Sequence, residues 1–310
     1  STVTQLGVSA FSGCRFAEID LPENINKIGD FCFSSSVVEK LKLPNSIRVI
    51  PEYAFGKCYK LERLEMPKNL EYIENNAFYG MDSVGYVTIY SELKRISDEY
   101  FCSMYHDGIF YAGTPEQWQN VTKAADINST VYYNVTQPYV AVVDNTLVKY
   151  LCEPPEDFVI PEVINGQEIK AIGSYIFGNM DSTGTSVSFT YPNTKRVVIP
   201  KTVERIDENA FAGLSGLAEY SVDAENGNFS AEDGLLYNKD KTVLISVPYG
   251  LDSVKLPYGI KTLKSYAISM CENLKAIVIP NTVTNIESSA IYCCGSLESI
   301  TLSSGLKSIE

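Results

Sequence analysis

The sequence is short of histidine, of basic residues and of long apolar runs. Its 310 residues include a single histidine, which excludes any metal site or proton relay that needs two. Lys and Arg number 25 against 38 Asp and Glu, giving a formal net charge of −13. This charge argues against nucleic acid or anionic lipid as the main partner, because both need a basic surface. No stretch approaches about 18 uninterrupted apolar residues, so we expect no membrane insertion within this chain.

Cysteine is present eight times, but in no pattern that builds a site. No two cysteines lie in C-x-x-C spacing, so zinc-ribbon and redox motifs are missing. Their density is also far below that of a disulfide-stapled small domain. We therefore predict no metal and no cofactor, and the redox compartment stays open on composition alone.

A repeat of 22 to 23 residues runs through most of the chain. Its markers are a phenylalanine column with spacings of 22, 22, 23 and 23, and an aliphatic residue five positions earlier in each copy. The column residues are Phe11, Phe33, Phe55, Phe78 and Phe101, and the frame returns later at Phe177, Phe211, Ile268 and Ile291. The unit reads roughly L-x-x-I-x-I-P-x-x-V-x-x-I-x-x-x-A-F-x-x-C.

Each part of the unit has a physical meaning. The I-x-I-P segment alternates apolar and polar residues, which is typical of a short strand with one buried face, and proline ends it. One coil cannot bury its own apolar side chains, so neighbouring coils must stack into a continuous core. The repeat therefore predicts a solenoid whose short strands form a parallel sheet.

Two interruptions divide the chain into predicted modules, 1–137 and 138–310. In the first interruption, Thr114-Pro115-Glu116-Gln117 predicts a capped helix through Trp118, followed by a strand at Val131-Tyr132-Tyr133. Residues 139–151 then predict a hairpin that opens the second module. Extra residues predict a loop at 181–188 and an inserted hairpin within 223–255.

The residues resemble the BspA-like bacterial leucine-rich repeat family. The resemblance rests on Ile199-Pro200 through Ala210-Phe211, on Tyr111-Ala112-Gly113-Thr114-Pro115-Glu116-Gln117-Trp118, and on Asp233-Gly234-Leu235-Leu236-Tyr237. It implies a leucine-rich-repeat-type solenoid, a right-handed coil of short parallel strands with turns and short helical segments, interrupted by two β-hairpin inserts. It also implies a secreted or surface-anchored protein of a family linked to adhesion.

Three kinds of residue could carry chemistry, the cysteines, a Cys–His pair and the carboxylates, but a structural role explains each of them better. The column three residues after the aromatic position holds Met and Leu as well as cysteine, so its cysteines are interpreted as packing residues. Cys271 and Cys294 lie one coil apart, where a disulfide is sterically possible but packing is favoured. Cys102 and His106 resemble a thiol–imidazole dyad, yet Asp107-Gly108 indicates a turn. Carboxylates are plentiful, but the outward strand positions are chemically mixed, as on a solvated face.

The surplus of tyrosine, 21 in all, suggests a contact surface. Many tyrosines lie outside the core columns, and the alternative is that they fill the junction between modules and the hairpin bases. We predict a ligand surface near residues 105–150 and 233–247, where replacing Trp118, Tyr132 or Tyr133 with alanine should weaken binding. The candidate residues are Trp118, Tyr132, Tyr133, Tyr139, Tyr237 and Tyr249.

The sequence favours a non-enzymatic binding or adhesion protein, extracellular or on the cell surface, that recognises an extracellular protein or glycan. The alternative is a structural spacer that presents another domain, and no nucleophile, metal or cofactor motif supports an enzyme. Because Gly305-Leu306-Lys307-Ser308-Ile309-Glu310 stops partway through a repeat, we also expect a longer array, and an open end that invites end-to-end self-association.

Overall fold

The protein is a leucine-rich-repeat-type β-solenoid with little helix, as the sequence predicts. The computed structural model describes residues 2–16, 18–61, 63–81, 86–99, 101, 108–127, 129–137, 139–178 and 190–306. The chain divides into two compact units, Ser1–Ala141 and Val142–Glu310. The predicted loop at 181–188 lies outside the described residues.

The first unit contains two parallel sheets built from successive coils. The first sheet consists of Glu18–Asp20, Lys40–Lys42, Arg63–Glu65, Tyr86–Ile89, Gly108–Tyr111 and Val131–Tyr132. The second consists of Val49–Ile50, Tyr72–Ile73, Arg95–Ile96 and Thr122–Lys123. The register pairs Ile19 with Leu41 and Leu41 with Leu64, so equivalent apolar residues stack one coil apart.

A stack of phenylalanine rings fills the turn side of the first unit. Phe33 and Phe55 stack with ring centroids 5.5 Å apart, and Phe55 and Phe78 follow at 5.7 Å. All three rings are fully buried. The phenylalanine column that defines the repeat therefore lies in the centre of the core, because each ring packs on the equivalent ring of the next coil.

In most of the described coils, the turn that carries this column has left-handed residues two positions before the aromatic residue and two positions after it. Their φ angles are positive at Ser9, Phe31, Tyr53, Asn76, Ser35 and Lys57 in the first unit, and at Tyr175, Asn209, Tyr266, Ser289, Met270 and Cys293 in the second. Left-handed backbone reverses the chain direction sharply, and most of these side chains are at least partly exposed, whereas Asn209 and Met270 are buried.

The helix predicted from the capping box is Pro115–Gln119. The Gln117 amide donates to Thr114 Oγ1 at 3.3 Å, and Gln117 Oε1 accepts from the Thr114 amide at 2.8 Å. The helix brings Trp118 against the core of the first unit, where the ring is 6% exposed.

The second unit repeats the coil plan in shorter sheets. Its strands are Val140–Val143 (which begins in the first unit), Thr146–Tyr150, Ala171–Ile172 and Arg205–Ile206; Asp157–Val159, Arg196–Ile199 and Glu219–Val222; Val163–Ile164 and Gln167–Glu168; Ile268–Ser269 and Ile291–Tyr292; Ala276–Val278 and Ser299–Thr301. The hairpin turn residues Asp144 and Asn145 both have positive φ, as a two-residue turn of this kind requires.

The inserted segment of the second unit is larger than the predicted hairpin. It forms three antiparallel strands, Phe229–Glu232, Leu235–Asn238 and Val243–Ser246. The third of these then pairs in parallel with Thr262–Leu263, which pairs with Asn285–Ile286. The last strand of the insert therefore belongs to the same parallel sheet as the two coils that follow it.

Candidate binding surfaces

Most of the aromatic residues predicted to form a ligand surface are interior residues. Trp118, Tyr139, Tyr237 and Tyr249 are between 0% and 8% exposed, so little of these side chains is accessible to a ligand in this structure. Tyr132 and Tyr133 are partly exposed. Cys102, Tyr105 and His106 lie outside the described residues.

Trp118 is enclosed by its own unit. Its ring lies 4.9 Å from that of Tyr111, and Lys123 Nζ lies 4.8 Å above it. The same ammonium donates to the carbonyls of Trp118 and Val121 at 2.7 and 2.8 Å, which fixes the loop after the helix. The aromatic side chain therefore closes the core at the helix.

Tyr139 covers part of the outer face of the first sheet. Its hydroxyl donates to the Leu64 carbonyl at 3.0 Å, and its amide donates to Thr88 Oγ1 at 3.2 Å. Its ring packs edge-on against Phe110 at 5.9 Å. As a result Thr88, expected on a solvated face, is only 2% exposed.

Tyr249 belongs to a buried polar network in the second unit. Its hydroxyl hydrogen-bonds to Ser246 and Ser269, and Ser246 also bonds the Tyr220 hydroxyl at 2.8 Å. Ser269 Oγ donates to Asn209 Oδ1 at 2.6 Å. Burial raises the pKa of both tyrosines above the usual range, so the hydroxyls stay neutral donors that hold the insert to its neighbouring coils.

Exposed aromatic side chains form a row elsewhere in the first unit. We call Phe31, Tyr53 and Tyr79 the aromatic row. The rings of Phe31 and Tyr53 stack 4.9 Å apart at an interplanar angle of 5°, and Tyr79 meets Tyr53 edge-on at 5.9 Å. Phe31 is 39% exposed, and the other two are partly exposed.

An open groove of about 780 Å³ adjoins this row. Its lining includes Val8, Gly29, Arg48, Val49 and Pro51, with Val8 68% and Val49 39% exposed. Two coils approach closely at its base, since a Cβ on Gly29 would lie 2.6 Å from the Val8 nitrogen. Glycine is therefore required at this position.

The second unit also has an open groove, of about 680 Å³. It lies between the turn at Asp233 and the segment that contains Val254, Leu256 and Tyr258. Tyr258 is 78% exposed. The predicted surface near 233–247 thus reaches solvent through this turn, while Tyr237 on the adjoining strand is fully buried.

Several of the described carboxylates form ion pairs. Glu71 lies between Lys94, whose Nζ donates to it at 2.7 Å, and Arg48, which contacts its other oxygen. The hydrogen bond from Lys94 is the main cause that lowers the pKa of Glu71. An acid held in its ionised form is a poor proton donor near neutral pH. Among the described residues, no group of three or more His, Cys, Asp or Glu is placed to hold a metal ion.

The described part of the chain contains no helix long and apolar enough to cross a membrane.

Sequence reasoning missed the aromatic row because its members lie beside the core column and not within it. One signal was available. The position two before the aromatic residue holds Ser9 and Asn76, which suit left-handed backbone, and between them Phe31 and Tyr53, which do not.

Solved structures that match the chain include a leucine-rich cell surface protein and a leucine-rich repeat protein, at TM-scores below 0.5. The pneumococcal vaccine antigen PcpA is 19% identical with a TM-score of 0.38, and the match covers 98% of this chain but 57% of that one. A leucine-rich cell surface protein from Faecalibacterium prausnitzii is 18% identical with a TM-score of 0.34, over 99% and 83%. A leucine-rich repeat protein from Bacteroides ovatus is 19% identical with a TM-score of 0.30, over 99% and 78%.

No curated protein matches the sequence significantly. The BspA type leucine-rich repeat region, in contrast, matches in six copies, over residues 1–106, 156–230 and 247–310. These residues include the coils of both units and stop short of the helix at Pro115–Gln119 and of the centre of the insert. The chain belongs to the BspA-type leucine-rich repeat family.

Proposed function

We propose that the chain is a non-enzymatic binding protein, secreted or on the cell surface, that holds an extracellular protein at the aromatic row and its adjoining groove. The exposed stack of Phe31 on Tyr53 carries the proposal. The family and fold are those of leucine-rich repeat proteins, which are generally non-enzymatic.

The backbone conformation of the row supports a role beyond folding. Phe31 and Tyr53 have φ angles of 57° and 53°, where a bulky residue costs about 1 kcal/mol or more. Asn76 occupies the same position one coil later with a residue that suits this conformation. The same position holds Tyr175 and Tyr266 in the second unit, so the stacking of two solvent-accessible rings, and not the backbone alone, supports contact with a partner.

The geometry of the stack favours a protein over a glycan. Sugar recognition usually places a ring face against the aromatic face, but Phe31 and Tyr53 stack nearly in parallel, so each ring covers one face of the other. Edges and exposed valines suit apolar side chains of a partner. The groove lies next to the two rings, because Asp30 and Pro51 line it and are followed within two residues by Phe31 and Tyr53.

Binding to a panel of matrix proteins and glycans should identify a ligand, and the variants Phe31→Asn and Tyr53→Asn should then each weaken binding at least about tenfold. Asparagine is chosen because Asn76 already occupies this column, so the left-handed backbone is kept and stability should not fall. Affinity by surface plasmon resonance and thermal denaturation of each variant provide the measurement.

Tyr59→Ala is the matched control, because Tyr59 is 59% exposed in the same unit but is not part of the row. Unchanged affinity in both asparagine variants would rule out the row. If binding falls only in Tyr132→Ala or Tyr133→Ala, the surface lies at the junction near residues 105–150. If no protein or glycan binds, the chain is better explained as a spacer that presents another domain.

A further inference from the structure

Two cysteines of the second unit lie in register on adjacent coils. Ile268–Ser269 pairs in parallel with Ile291–Tyr292, Ile268 opposite Ile291, and each strand is followed by a cysteine at the same offset, Cys271 and Cys294. The Met270 amide donates to the Tyr292 carbonyl at 2.9 Å, so the coils remain bonded up to the residue before Cys271. Adjacent parallel strands lie about 4.8 Å apart, within the Cα separation of about 4.4–6.8 Å that a disulfide spans.

The two thiols interact directly, and they differ in access to solvent. Cys271 is fully buried and donates to the Ser269 carbonyl at 3.4 Å, whereas Cys294 is partly exposed and donates to the Ile268 carbonyl at 3.5 Å. The interaction between the two thiols is the main cause that lowers the pKa of Cys294, whereas the same interaction and burial raise the pKa of Cys271. A nucleophilic thiolate therefore develops at the accessible sulfur, with a second thiol in contact behind it.

We propose that Cys271 and Cys294 are a modification site, a dithiol that small disulfides convert to a disulfide between the two coils. The Cys294 thiolate attacks one sulfur of the small disulfide, forming a mixed disulfide and releasing the first small thiolate. Cys271 then loses its proton and attacks the Cys294 sulfur, releasing the second. Two protein thiols are oxidised, one small disulfide is reduced to two thiols, and the cross-link joins coils that only noncovalent contacts joined before.

The first unit contains a natural comparison for this pair. In the same column, Ser36 and Cys58 lie on adjacent coils with Oγ and Sγ 3.6 Å apart. Serine in place of the first thiol preserves the contact and removes the second sulfur. The column thus tolerates Ser beside Cys, so Cys294→Ser should fold normally.

The test treats the fully reduced chain with oxidised glutathione near pH 7 and determines the products by intact mass and peptide mapping. We expect the chain to lose two hydrogens, with Cys271 linked to Cys294, while Cys58 stays free. Cys294→Ser should lose this product, whereas Cys293→Ser, which changes the neighbouring thiol, should keep it. Thermal denaturation of the oxidised chain should show a higher midpoint than that of the reduced chain.

Three results would overturn the proposal. The first is a stable glutathione adduct on Cys294, which would show that Cys271 cannot reach it to complete the exchange. The second is a cross-link that survives in Cys294→Ser. The third is no reaction in a chain whose exposed thiols do react with an alkylating reagent. The proposal is independent of ligand binding, since these assays contain no ligand.

Discussion

Replacing Phe55 with alanine should lower the free energy of unfolding by about 3–5 kcal/mol. The ring is fully buried and is stacked on both sides, 5.5 Å from Phe33 and 5.7 Å from Phe78. Its removal leaves a cavity and weakens two coil-to-coil interfaces at once, which matters in a solenoid because each coil contacts only its neighbours. Urea denaturation followed by circular dichroism measures the change.

The exposed Tyr59 supplies the comparison for this result. Tyr59→Ala should change stability by less than about 0.5 kcal/mol, because the residue is 59% exposed. Phe55→Leu should fall between the two, because leucine fills much of the space. Equal effects of the two alanine variants would contradict the assignment of the phenylalanine column to the core.

Trp118→Ala should destabilise the chain by about 3–5 kcal/mol, whatever its effect on a ligand. The indole is 6% exposed, packs on Tyr111 at 4.9 Å and lies beneath Lys123 Nζ. Trp118→Phe should retain most of the stability, because a ring still fills the space between the helix and the core. Denaturant unfolding by circular dichroism compares the three proteins.

This comparison separates the two interpretations of Trp118. Trp118 is the single tryptophan of the chain, so its native fluorescence should be blue-shifted and should shift to the red on unfolding. A stable Trp118→Ala protein that had lost only ligand affinity would restore the original prediction of a ligand surface at this residue.

The repeat made the coils predictable, because each coil reuses the same inward positions. Phe33, Phe55 and Phe78 could be placed in the core from their spacing alone, and the capping box placed the helix before Trp118. In both cases the signal is local in sequence or recurs at a fixed period. The extra strand Phe229–Glu232 was missed although Asp233-Gly234, with positive φ at both residues, is the two-residue turn that joins it to Leu235–Asn238.

The candidate surface was less predictable, because burial by long-range contacts has no period. Tyr139 is buried through contacts with Leu64 and Thr88, more than 50 residues earlier in the chain. Tyr249 is buried by a network of polar side chains drawn from separate coils and the insert. Tyrosine count alone could not distinguish these interior roles from exposure.

Hydrogen–deuterium exchange of the chain with and without its identified ligand tests the central claim most directly. The account predicts slower exchange at the turns around Phe31 and Tyr53 and in the groove segment near Val8, with little change around Trp118 or the insert. Protection confined to residues 129–137 or 233–258, with the turns of the aromatic row unchanged, would contradict it.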